Sequence, residues 1–132
     1  MGWFKRNPKS ASKTPETRLA DLARLVAECP PYDLRALAAA VDIEWNLFLT
    51  LFGSVASFDE TPHEQQLEQL RKRLAWQADL KAGRDQAEAC ACELVNLYMS
   101  AAIASDRPNR EAAAAVIFHL LQTNRAKEKP NS

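Results

Sequence analysis

Hydrophobic positions along this chain recur with helical spacing, and the densest run is Leu34 to Phe58. At 100° per residue Leu34, Leu37, Ala38, Val41, Trp45, Phe48, Phe52 and Val55 share one face. Ala40, Leu47, Leu51 and Phe58 widen that face on one side, and Leu49 widens it on the other. The apolar arc then covers about 200°, roughly twice the stripe of a typical surface helix. A helix of this kind needs apolar neighbours on two sides. The pattern therefore predicts a buried central helix with surplus apolar surface along one flank.

Four further helices are predicted around it. Thr14-Pro15-Glu16 opens the first, with Thr14 as cap, and Leu19, Leu22, Leu25, Val26 and Cys29 form its stripe before Pro30-Pro31 ends it. Asp33 is the expected cap of the central helix. Thr61-Pro62-His63-Glu64 reads as a capping box for a helix running to Ala82, with stripe Leu67, Leu70, Leu74 and Ala78. Trp76 and Leu80 form a second apolar patch on its opposite side. Asp85 caps a helix of many small residues, in which Ala89, Glu93, Asn96 and Ser100 are expected to face outward. The last helix is expected from Arg110 to Arg125, with Ala113, Val116, Ile117, Phe118, Leu120 and Leu121 inward.

No segment alternates with period two over a strand's length, so the fold class is all-α. The expected architecture is a compact bundle of about five antiparallel helices with short connections. Residues 14–125 form its single domain, flanked by a flexible basic arm over 1–13 and a disordered tail over 126–132. At 132 residues the chain is long enough to bury a core without disulfides or metals.

Charge alters this picture at the ends. The 17 basic and 17 acidic residues balance overall, but Lys5, Arg6, Lys9, Lys13 and Arg18 face only Glu16 in the first 18 positions. Arg125, Lys127 and Lys129 face only Glu128 in the last eight. Such basic ends on an acidic body read most simply as solvated tails. The arm also places Trp3 and Phe4 beside Lys5 and Arg6, a pattern suited to docking in a partner's groove or at an anionic membrane surface. Neither a secretory leader nor a myristoylation motif is expected: the h-region is missing, and Arg6 stands where Ser or Thr would be needed. The central run is long enough for a bilayer, yet it contains Arg35, Asp42, Glu44 and Asn46. A central acid costs about 2.5–3.5 kcal/mol on insertion, so the run is expected in a protein core.

Candidate chemistry is sparse. Of three cysteines, Cys90 and Cys92 project about 200° apart on one helix and cannot pair with each other, which suits a reducing cytoplasm. His63 and His119 lack ligand spacing, no glycine-rich phosphate loop is present, and no serine sits in a nucleophile elbow. Nothing points to a catalytic constellation, a metal, a cofactor or a small-molecule ligand. Arg71, Lys72 and Arg73 are candidate nucleic-acid contacts, diluted by Glu64, Glu68 and Asp79. Glu44 projects between Leu37 and Leu51 on the apolar arc, where a carboxylate is costly unless it tilts to the rim or pairs with an arginine.

The expectation is therefore a non-enzymatic protein-interaction or regulatory module, self-associating through an apolar helix face. Its interface residues would be Trp45, Leu47, Leu51, Phe58, Trp76 and Leu80. A membrane-peripheral accessory protein anchored through Trp3 to Arg6 is the first alternative, and a DNA-binding regulator the second.

Overall fold

A computed structural model describes residues 15–81 and 86–128, and all regular structure among them is helical. The helices are α1 (Pro15–Glu28), α2 (Pro31–Phe52), α3 (Val55–Glu60), α4 (His63–Lys81), α5 (Gln86–Ile103) and α6 (Arg107–Glu128). The arm with Trp3, Phe4, Lys5 and Arg6, and the Thr14 cap, lie outside the described residues.

Local sequence explains most boundaries. The proline pair separates α1 from α2, and α2 starts two residues earlier than Asp33: Pro30 takes the extended N-cap conformation and Pro31 opens the helix. Asp33 instead lies in the first turn, where its charge complements the helix dipole. Asp106 caps α6, its Oδ1 accepting from the Asn109 N–H at 3.3 Å. That helix begins at Arg107, not Arg110, and continues past Arg125 to Glu128.

The apolar run from Leu34 to Phe58 is not one helix, which makes the count six among the described residues where five were expected. Gly53 adopts φ +92° and donates its N–H to the Leu49 carbonyl, ending α2. Ser54 then caps α3 by accepting from the Ser57 N–H at 3.0 Å. The bend turns Phe58 back onto Phe48 and Phe52, at ring-centroid distances of 5.1 and 4.8 Å. Thr61 also differs from expectation. Its hydroxyl donates to the Ser57 carbonyl at 2.8 Å and so closes α3, where a capping box for α4 was predicted.

The middle of the molecule is α5, not α2. It packs against α1, α2, α4 and α6, and ten of its residues are buried. Ala87, Ala91, Cys92 and Ala101 among them are small enough to let neighbouring helices approach closely. An aromatic cluster joins α2, α3, α5 and α6: Trp45 stacks on Phe48 at 4.9 Å and meets Tyr98 and Phe118 edge-on at 5.4 and 5.5 Å. Phe118 contributes only one edge and stays half exposed, contrary to its expected inward position. Arg110 closes this end from α6. It donates to both Asp59 carboxylate oxygens at 2.8 and 3.0 Å and lies over the Tyr98 ring.

Candidate functional site

The arrangement of α4 decides what this molecule presents to its surroundings. Its buried stripe is Gln66, Leu70, Arg73 and Gln77, three polar residues and one leucine. The predicted stripe of Leu67, Leu70, Leu74 and Ala78 lies roughly 75° further round the helix. In the structure Leu74 and Ala78 are exposed. The helix is turned because its neighbours bury polar groups that require partners.

Those groups form one network across α2, α4 and α5. Glu44, 2% exposed, accepts from Arg73 Nη2 at 2.7 Å. Arg73 Nε donates to Asn96 Oδ1 at 2.7 Å, and Asn96 Nδ2 donates to Gln77 Oε1 at 2.7 Å. Both Arg73 and Asn96 also approach Cys92 Sγ, at 3.7 and 3.6 Å. Among the described residues no buried side-chain nitrogen or oxygen lacks a hydrogen-bond partner. Burial pushes the Glu44 carboxyl above its ordinary value, and the bond and charge of Arg73 pull it part of the way back. Burial also drives the Cys92 thiol up to about 11, outweighing the nearby guanidinium. A thiol held protonated in this way is a packing group and not a nucleophile.

The network reassigns several residues. Arg73 is bound inside the protein and cannot offer its charge to phosphate, which leaves Arg71 and Lys72 as the exposed members of that candidate patch. Trp45 and Phe58, expected at an interface, belong to the aromatic core. Asn96, expected outside, is buried at the network's centre. Sequence reasoning also passed over Gln77 and Cys92 as members of the site. Their one signal was that Glu44, isolated on an apolar arc, required donors from elsewhere.

Of the remaining interface candidates, Leu47 and Leu51 lie on the outer side of α2, and Ile43 joins them there. Ile43, Leu47 and Leu51 recur at intervals of four along α2 and are 59, 48 and 51% exposed. Trp76 on α4 is 42% exposed; the side chain of Leu80 is outside what is described. The Glu44–Arg73 pair, and a groove of about 320 Å³ shared by Leu51 with Gln65, Glu68 and Gln69, set α4 antiparallel beside α2. Trp76 is seven residues from Gln69 and so shares its face. It lies about one turn beyond Arg73. Few Cα atoms of α2 and α4 come close, and long side chains bridge the gap. The surface therefore carries an exposed Ile43–Leu47–Leu51 ridge on α2 and, on α4, a half-exposed Trp76.

Two other concavities lie elsewhere on the described surface. One of about 560 Å³ adjoins the α5–α6 turn, but its Arg110 is already held by Asp59 and Tyr98. One of about 370 Å³ between α1, α4 and α5 contains the Arg18–Glu93 ion pair and Leu74. Among the described residues no three His, Cys, Asp or Glu side chains converge as metal ligands would, and no helix is long and apolar enough to cross a membrane. No protein-family model matches the chain, and neither a curated protein nor a solved structure matches it.

Proposed function

We propose that this chain is a non-enzymatic protein-interaction module whose docking face is the outer side of α2 with the adjoining edge of α4. One observation carries the reading: Ile43, Leu47 and Leu51 are each about half exposed in a continuous ridge, although the chain has an interior to put them in. Single exposed leucines are ordinary on protein surfaces. A ridge of three on one helix face is the kind of patch that marks an interface.

The turned phase of α4 supports the same conclusion. Polar partners for Glu44 and Asn96 take the inward positions of that helix, and Trp76 is left exposed on its outer side. A tryptophan half out of water offers a large contact area at small cost in conformational entropy.

The test is affinity capture with the full chain as bait, in parallel with a Leu47→Asp variant that retains the wild-type circular dichroism spectrum. The reading requires proteins, copies of the chain included, that the wild type retains and the variant releases. Identical retention by both baits, or retention by neither, removes it.

A further inference from the structure

We draw no further inference here: the strongest candidate, the cavity of about 560 Å³ at the α5–α6 turn, carries nothing, because Arg107 is paired with Glu111, Arg110 with Asp59 and Tyr98, and Asp106 with Asn109, so its charged groups answer one another and nothing in the structure shows what would fill it.

Discussion

Arg73 on α4 reaches across to Glu44 on α2 and places Nη2 2.7 Å from Oε1, with both side chains almost wholly out of water. The two residues are 29 positions apart, and each is anomalous where it stands. Glu44 interrupts the apolar arc of α2, and Arg73 occupies an inward position of α4. Each supplies what the other lacks.

Removing either partner should be costly. Glu44→Ala would leave a buried guanidinium without its counter-ion and should destabilise by about 3–5 kcal/mol, with Arg73→Ala of similar size. The double replacement Glu44→Leu with Arg73→Met should cost far less than the two single changes together. Urea denaturation of all four proteins checks this, and additive losses would mean that the pair is not coupled.

The pH dependence has a definite sign. The folded-state pKa of Glu44 is raised by burial, against the opposing effect of Arg73. The folded protein therefore holds this proton more tightly than the unfolded chain. Its stabilising contribution is complete below about 4.5, a glutamate's ordinary value, and is lost as pH rises through the folded value. Glu44→Gln removes the titration. Denaturation midpoints from about pH 4 to about pH 7 should show the wild type falling relative to this variant as pH increases.

Gly53 offers a backbone test. A Cβ there would meet only Ser57, at 3.7 Å or beyond, so space is adequate. The φ of +92° is the obstacle. Gly53→Ala should cost roughly 1–2 kcal/mol without altering the fold, measured by thermal unfolding. A neutral result would mean that the α2–α3 bend tolerates an ordinary backbone conformation.

Thiol reactivity should separate the three cysteines. Cys29 is partly exposed, Cys90 is buried, and Cys92 combines complete burial with a pKa pushed up to about 11. Iodoacetamide followed by mass spectrometry should modify Cys29 first in the native protein. Cys92 should react only once urea has unfolded the chain.

What the sequence discloses here follows from how locally each feature is determined. The helical class, the break at Pro30-Pro31 and the isolation of Glu44 depend on near neighbours and can be read directly. The bend at Gly53 was hidden because apolar spacing continues through it to Phe58, and only the glycine and Ser54 hint at a new cap. The phase of α4 could not be read at all from its own residues. Its leucines point one way, and the partners that turn it, Glu44 and Asn96, lie on other helices. The same non-local effect placed Asn96 inside and left Trp76 outside.

The way α4 is attached also constrains how it can come loose. A helix seated on leucines can slide or rotate by small steps, because dispersion contacts change gradually. Arg73 and Gln77 instead hold α4 through directional bonds of 2.7 Å to Glu44 and Asn96. Those bonds cannot be half made, and breaking one strands charge in the interior. Departure of α4 is thus an all-or-none event, and its amides should exchange with solvent hydrogen as a single cooperative unit.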